Sequence, residues 1–117
     1  MKYLADTSVW IDHLHNGNDM LIQFLRENKV LTHPFIIGEI ACGNLQNGNE
    51  IISLLNQLPG ALVATHEEGI QFLDQHKLYG KGIGWIDLHL LASSALSSVK
   101  LFTLDKRLKT IAKIMLK

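Results

Sequence analysis

Cysteine, proline and long apolar runs are all scarce in this chain of 117 residues. Cys42 is its single cysteine, so a scaffold built on intrachain disulfides is excluded. No apolar run approaches the roughly 18 residues that a membrane-spanning helix requires. Asp6 interrupts the start of the chain before the apolar core of a signal peptide forms. We therefore expect one cytoplasmic domain over residues 1–117, without membrane contact.

The composition is that of an ordinary globular protein, with 47% hydrophobic and 19% charged residues. The net charge is zero, but residues 1–99 carry five cations and ten acids, whereas residues 100–117 carry six cations and one acid. Such a basic end is typical of a surface that binds polyanions. It is also typical of a C-terminal helix, because the helix dipole favours cations there. The sequence leaves both interpretations open.

Apolar periodicity and turn residues predict short strands that alternate with helices. The predicted strands cover residues 2–5, 30–32, 61–64 and 100–103, and the predicted helices cover 8–15, 19–28, 34–42, 49–58, 66–76 (or from 65), 85–96 and 105–114. This order is typical of an α/β protein whose parallel sheet carries helices on both faces. Ligands of such sheets bind beyond the carboxyl ends of the strands.

Four acids lie near the predicted carboxyl edge of the sheet. Asp6 follows the first strand, Glu39 lies in the helix after the second, Asp87 lies in the first turn of the most hydrophobic helix, and Asp105 follows the last strand. Carboxylates in apolar surroundings are costly, and crowded carboxylates raise one another's pKa. A divalent cation removes both costs, and oxygen ligands favour Mg²⁺ or Mn²⁺. Such ions support hydrolysis of phosphodiesters by an activated water.

Each acid also has a purely structural interpretation. Asp6 and Asp105 are both suited to cap a helix N-terminus. Asp87 complements a helix dipole, and Glu39 falls off the centre of the apolar face of its helix, where solvent would reach it. Spacing alone does not establish that the four acids converge.

Four segments resemble, in order, the characteristic segments of PIN-domain ribonucleases of the VapC toxin type. They are LADTSVWIDH at residues 4–13, PFIIGEIACG at 34–43, GIGWIDLHLLAS at 82–93 and LFTLDKRL at 101–108. Each segment contains one of the four acids, and together they span nearly the whole chain. The resemblance therefore rests on an ordered set of motifs rather than on one short match.

The resemblance implies a three-layer α/β/α sandwich with a central parallel sheet. It implies that Asp6, Glu39, Asp87 and Asp105 are catalytic and hold one or two Mg²⁺ or Mn²⁺ ions. The implied activity is cleavage of single-stranded RNA, leaving 5′-phosphate and 3′-hydroxyl ends. The implied partners are a second copy of the chain and a VapB-type antitoxin, with operator DNA bound only through the complex with the antitoxin.

Further residues have two interpretations each. The hydroxyls of Ser8 and Thr103 are placed to orient a metal-binding carboxylate, or they are a helix cap and an ordinary strand residue. Lys106, Arg107 and Lys109 are placed to hold RNA phosphates by salt-sensitive contacts, or they are a solvated helix face.

An apolar antitoxin segment would dock on Trp10, Leu14 and Leu21, or these side chains belong to the core.

Two departures from the family pattern accompany these expectations. Leu104 occupies a position where family members often carry arginine, which puts a local contact to substrate or partner in doubt. The final edge strand common in the family is expected to be short or missing.

Other function classes fit the sequence less well. The six histidines include no i, i+4 pair, which argues against a helical zinc site. A phospho-acceptor receiver domain would place an aspartate after the third strand, where Thr65 and His66 stand. An aspartate-based phosphatase would need a second aspartate at the position of Ser8. A PIN-like binding module without catalysis and a housekeeping PIN nuclease without an antitoxin remain the alternatives.

Overall fold

The structure is a computed structural model that describes residues 1–116. Lys117, the last cation of the basic end, lies outside the described residues. The elements are, in chain order, β1 (Tyr3–Ala5), α1 (Thr7–Asn16), α2 (Asp19–Arg26), β2 (Val30–Leu31), α3 (Pro34–Ala41), α4 (Gly48–Gln57), α5 (His66–Gln75), α6 (Trp85–Ser97), β3 (Lys100–Phe102) and α7 (Lys106–Met115).

The three strands form one parallel sheet in the order β2-β1-β3. Leu4 of the central strand lies opposite Leu31 on one side and Leu101 on the other. Leu4 and Ala5 are fully buried, as expected for a parallel strand covered on both faces. The predicted α/β fold with a central parallel sheet is confirmed.

The predicted strand at 61–64 is wrong. Within residues 1–116, only one parallel bridge, between Thr32 and Gly60, extends the sheet beyond β2. The chain then leaves the sheet, because two of its amides donate to serine hydroxyls of α6 instead of to strand carbonyls. These bonds run from Leu62 N to Ser97 Oγ (2.8 Å) and from Ala64 N to Ser93 Oγ (3.3 Å). At Leu62 and Ala64 the apolar run is therefore hydrogen-bonded to a helix instead of to a neighbouring strand.

Helix α6 is the centre of the molecule. Its residues from Leu88 to Ser94 are all buried, so this middle stretch of the helix is enclosed on every side, whereas Trp85 and Leu96 near its ends are exposed. Leu90 packs into the cluster around the sheet, whereas Leu88 and Leu91 pack against Leu108 of α7. This packing fixes the N-terminal turn of α6, and with it Asp87, relative to the sheet and to α7.

The last described helix is followed by no strand in residues 1–116, so β3 is an edge of the sheet. The expectation of a short or missing final strand agrees with this arrangement. Over the same residues, no helix is long and apolar enough to cross a membrane.

Candidate active site

Asp6 stands at the carboxyl end of the central strand and begins α1. Its Oδ1 atom accepts hydrogen bonds from the Val9 amide (3.2 Å) and from the Ser8 hydroxyl (2.6 Å). Its Oδ2 atom accepts a bond of 2.5 Å from the Thr103 hydroxyl. Asp6 is buried, and burial raises its pKa above the usual range against the lowering effect of these bonds. Asp6 is thus both a helix cap and an oriented carboxylate.

The hydroxyls of Ser8 and Thr103 join two strand ends that are far apart in the sequence. Ser8 Oγ accepts a bond from the Leu104 amide (3.0 Å), and Thr103 Oγ1 accepts one from the Asp105 amide (3.1 Å). The loop after β3 is therefore attached to the start of α1. The Leu104 side chain, where the family often carries arginine, points into solvent and is 47% exposed.

Asp105 is exposed and begins α7. Its Oδ1 atom accepts a bond from the Leu108 amide (3.0 Å), which makes it the N-cap of that helix. The structural interpretation of Asp105 is therefore correct. It does not exclude metal binding, because Oδ2 has no recorded bond among the described residues and remains available to a ligand.

Glu39 lies on the exposed face of α3, and its Oε1 atom accepts a bond of 2.7 Å from the Thr7 hydroxyl. This contact connects α3 to the first residue of α1. Sequence reasoning did not single out Thr7. The available signal was its position directly after Asp6, which places the Thr7 hydroxyl at the same edge of the sheet.

Asp87 is half-buried in the first turn of α6. Burial raises its pKa above the usual range, and the negative charges of Asp6, Asp105 and Glu39 raise it further. A bond to the Gly84 backbone acts in the opposite direction. The negative charges of the other three acids thus act on the Asp87 carboxyl, which indicates that the four acids named from the sequence lie in one region.

The chain does not neutralise this charge itself. Over residues 1–116, the one ion pair joins Lys29 to Glu27 on the surface, at 3.3 Å. The guanidinium of Arg107 donates instead to the carbonyl of Gly82 (3.3 Å). Four carboxylates without a counter-cation have the charge and the oxygen donors that suit Mg²⁺ or Mn²⁺.

The carboxylates are nevertheless not arranged as a finished coordination cage. Among residues 1–116, no three His, Cys, Asp or Glu side chains stand where they would hold a metal ion without moving. Both oxygens of Asp6 are occupied by hydroxyl or amide donors, although each carboxylate oxygen has a second lone pair. The site thus fits a divalent cation in charge and donor type, and its side chains would have to move to complete the ligand set.

The basic residues of α7 do not form a single surface. Lys106, Arg107 and Lys109 are all exposed, but the Arg107 side chain turns toward the Gly82 loop. Lys109 lies on another flank of the helix, beside Lys113, where it lines a cavity with apolar walls. Of the three predicted RNA contacts, Lys109 is thus separated from Arg107.

The prediction that Trp10 and Leu21 offer a surface to an antitoxin is wrong for this conformation. Trp10 is 6% exposed and Leu21 is completely buried, and both belong to the core cluster around the sheet. Leu14 is half-buried. The amphipathic pattern of α1 and α2 therefore serves the core, which was the alternative interpretation of Trp10.

Two buried histidines were not recognised as structural residues in the sequence. His33 caps α3: its Nδ1 atom accepts a bond from the Phe35 amide (3.0 Å), and its Nε2 atom lies 3.1 Å from the Ser93 hydroxyl. Burial lowers the pKa of His33 to about 4, with a smaller contribution from His89. The signal was Pro34, which favours the first position of a helix and makes the preceding residue the cap.

His89 is 3% exposed, and neither of its ring nitrogens has a hydrogen-bond partner among the described residues. Its ring packs against Phe35 and Trp85, at centroid distances of 5.3 and 4.4 Å. Gly69 of α5 provides the space for this ring, because a Cβ atom at that position would lie 2.8 Å from His89 Nε2. His89 thus acts as a packing residue behind Asp87.

Comparison with known proteins agrees with this geometry. Residues 3–114 match the family model of the PIN domain. Two curated relatives, both named ribonuclease VapC32 and found in the strains CDC 1551 / Oshkosh and ATCC 25618 / H37Rv of Mycobacterium tuberculosis, are each 38% identical over 107 residues. The aligned region covers 91% of this chain and 86% of each relative.

The crystal structure of PAE2754 from Pyrobaculum aerophilum is similar in fold, with a TM-score of 0.61 and 13% sequence identity. The alignment covers 98% of this chain and 89% of that chain. This likeness concerns the fold alone, whereas the family match and the VapC32 relatives concern the sequence that carries the acids. The expected family is confirmed: the chain belongs to the PIN-domain family, among its VapC-type ribonucleases.

Proposed function

We propose that the chain is a Mg²⁺- or Mn²⁺-dependent endoribonuclease that hydrolyses single-stranded RNA through Asp6, Glu39, Asp87 and Asp105. The observation that carries this proposal is the buried Asp6 carboxylate at the end of the central strand, held by the Ser8 and Thr103 hydroxyls and the Val9 amide. The pKa of Asp87 agrees with it, because burial raises that pKa and the charges of Asp6, Asp105 and Glu39 raise it further. Asp6 and Asp105 follow strand ends at the carboxyl edge of the parallel sheet, where α/β proteins bind their ligands, and this position supports the proposal. The names of the VapC32 relatives support the ribonuclease class.

The chain's own residues have distinct tasks in this reaction. The hydroxyls of Ser8 and Thr103 orient the Asp6 carboxylate, and Glu39 and Asp105 approach from the exposed rim. When bound, one or two divalent ions supply an activated water and neutralise a phosphate oxygen. Water adds to phosphorus and the 3′ oxygen leaves, so the products carry a 5′-phosphate and a 3′-hydroxyl.

We further propose that the enzyme acts in the cytoplasm as the toxin of a type II toxin–antitoxin pair. In this proposal it forms a homodimer and is inhibited by a VapB-type antitoxin, and operator DNA is bound only through that complex. Identity to the VapC32 relatives over most of both chains supports the pairing. RNA phosphates would be held by Lys106 and Arg107, which follow Asp105 directly.

The first test is cleavage of total cellular RNA by the purified chain, with Mg²⁺ or Mn²⁺ and with the chelator EDTA, followed by sequencing of new 5′ ends. Wild type should give discrete, metal-dependent cuts. Asp87→Asn should reduce the rate by about a thousandfold, because loss of a metal ligand removes several kcal/mol of transition-state stabilisation. Asp74→Asn, on the exposed end of α5, is the matched control and should cut normally.

Two outcomes would contradict the proposal. Undiminished cutting by folded Asp87→Asn would remove the carboxylates from the mechanism. Absence of cutting by folded wild type, with circular dichroism showing native structure, would favour a PIN-like binding module without catalysis. The fold of each variant is checked by its thermal unfolding midpoint.

A further inference from the structure

A groove of about 480 Å³ runs along the edge of the sheet between α2 and α7. We call it the β3 groove. Its floor is apolar, and three lysines stand on its rim. The floor is made by Tyr3, Phe24, Phe102 and Leu116, and the rim carries Lys100, Lys109 and Lys113. None of the four carboxylates lines it, so the inference below does not depend on the proposed nuclease.

The aromatic floor favours apolar side chains rather than nucleobases as occupants. Tyr3 and Phe24 stack face to face, with centroids 4.0 Å apart and ring planes 8° from parallel. Phe102 packs edge-on against Phe24 at 5.7 Å. Because these rings already cover one another's faces, they offer edges to the groove, and a base would find little ring face for stacking.

The wall of the groove is a strand edge with unused main-chain groups. The Lys100 amide donates to the Lys2 carbonyl (3.1 Å), and the Phe102 carbonyl accepts from the Asp6 amide (3.0 Å). Strand alternation therefore turns the N–H and C=O groups of Leu101 away from β1. In residues 1–116 no strand pairs with this side of β3, so an extended peptide has both a donor and an acceptor to bind.

The positive charge of the rim favours a negatively charged ligand in the β3 groove. Lys100, Lys109 and Lys113 are exposed, and no acidic residue in the described part of the chain lines the groove. A second copy would bring the same three lysines to the contact, and like charges facing each other are unfavourable. An acidic segment would instead be attracted to the rim.

We propose that the β3 groove binds an extended segment of a partner protein in which apolar side chains alternate with Asp or Glu. The segment adds a strand beside β3. Its apolar side chains enter the groove over Phe24 and Phe102, and its alternating acidic side chains face Lys109 and Lys113 of α7.

The test uses the full chain and a fluorescein-labelled peptide of about eight residues, the length of an ordinary strand, that alternates Val or Phe with Glu. A second peptide has Lys in place of every Glu. Binding is measured by fluorescence anisotropy at low and high salt. The acidic peptide should bind, more weakly at high salt, and the basic peptide should not. On binding, the amide signal of Leu101 should shift in NMR spectra and its hydrogen exchange should slow.

The decisive comparison is between two double variants of exposed lysines. Lys109→Glu with Lys113→Glu should weaken binding of the acidic peptide by about tenfold or more, because charge reversal turns attraction into repulsion. Lys77→Glu with Lys81→Glu changes the net charge equally but lies outside the groove, and it should change the affinity less than about twofold.

Several results would overturn the proposal. These are failure of the acidic peptide to bind, equal binding of both peptides, or an equal loss in both double variants. Displacement of the peptide by oligouridylate would assign the groove to RNA instead. A dimer that resists the peptide and dissociates in the Lys109→Glu, Lys113→Glu variant would assign it to a second copy of the chain.

Discussion

His33 shows how one buried residue sets the response of the chain to acid. The folded state holds this ring neutral because burial lowers its pKa to about 4, from 6.5 in the unfolded chain. Between these two values the unfolded state binds a proton that the folded state does not. The free energy of unfolding therefore falls as the pH drops from 6.5 toward 4, and this contribution levels off below.

We predict a loss of about 3 kcal/mol from His33 over this range, since each pKa unit corresponds to about 1.4 kcal/mol. The measurement is urea unfolding at a series of pH values. His33→Asn, which keeps a capping side chain, should flatten the slope of stability against pH. His15→Asn, which removes an exposed histidine, should leave the slope as in wild type. An unchanged slope in His33→Asn would contradict the assignment.

Single residues also differ in how far their roles could be predicted from the sequence. The acids that follow strands, Asp6 and Asp105, could be predicted because a strand end is recognisable in local sequence. The contacts of His33 and Thr7 could not be predicted, because their hydrogen-bond partners, Ser93 and Glu39, lie 60 and 32 residues away in the sequence. Trp10 and Leu21 were ambiguous since an apolar helix face looks the same in a core and in a docking surface.

At the scale of elements, α7 combines two tasks at its first turn. Asp105 caps the helix through Leu108 and is also a proposed metal ligand. The two tasks can be separated, because asparagine retains the cap but lacks the charge.

We predict that Asp105→Asn retains the stability of wild type within a few tenths of a kcal/mol and loses most cleavage activity. Asp105→Ala should lose the activity and, in addition, about 1 kcal/mol of stability. Stability is measured by thermal unfolding without metal, and activity on the RNA cleaved by wild type. Equal activity in Asp105→Asn and wild type would leave Asp105 as a cap alone.

Residues 61–64 show how distant contacts decide whether a strand forms. Their sequence, Ala-Leu-Val-Ala, favours a strand, but these residues form neither a strand nor a helix. The serines of α6 that take their amides, Ser93 and Ser97, are thirty or so residues further along the chain. A local sequence pattern does not reveal hydrogen-bond acceptors so far along the chain, which here replace the carbonyls of a neighbouring strand. The ends of the helices were predicted to within a few residues, because helical hydrogen bonds join residues close in sequence.

At the scale of the whole molecule, the uncompensated carboxylates oppose folding, and the proposed cation would relieve their repulsion. A ligand that binds only the folded state adds about 2.7 kcal/mol of stability when its concentration is about a hundred times its Kd. We predict that MgCl₂ or MnCl₂ raises the thermal midpoint of wild type by several degrees, and that Asp87→Asn gains much less. NaCl of equal ionic strength is the control. An equal rise with NaCl would show general screening and no specific site.

The hydrogen bond from Thr103 to Asp6 spans 97 residues, and the central strand β1 pairs with β3 near the other end of the sequence. Folding must close this long loop before the carboxylates can assemble. A ribosome makes β1 first and adds about 5–20 residues per second, so Asp6 waits seconds for its partner. The proposed site is therefore incomplete for most of the time the chain is being synthesised, because a nascent chain that ends before Thr103 lacks both this hydrogen bond and Asp105.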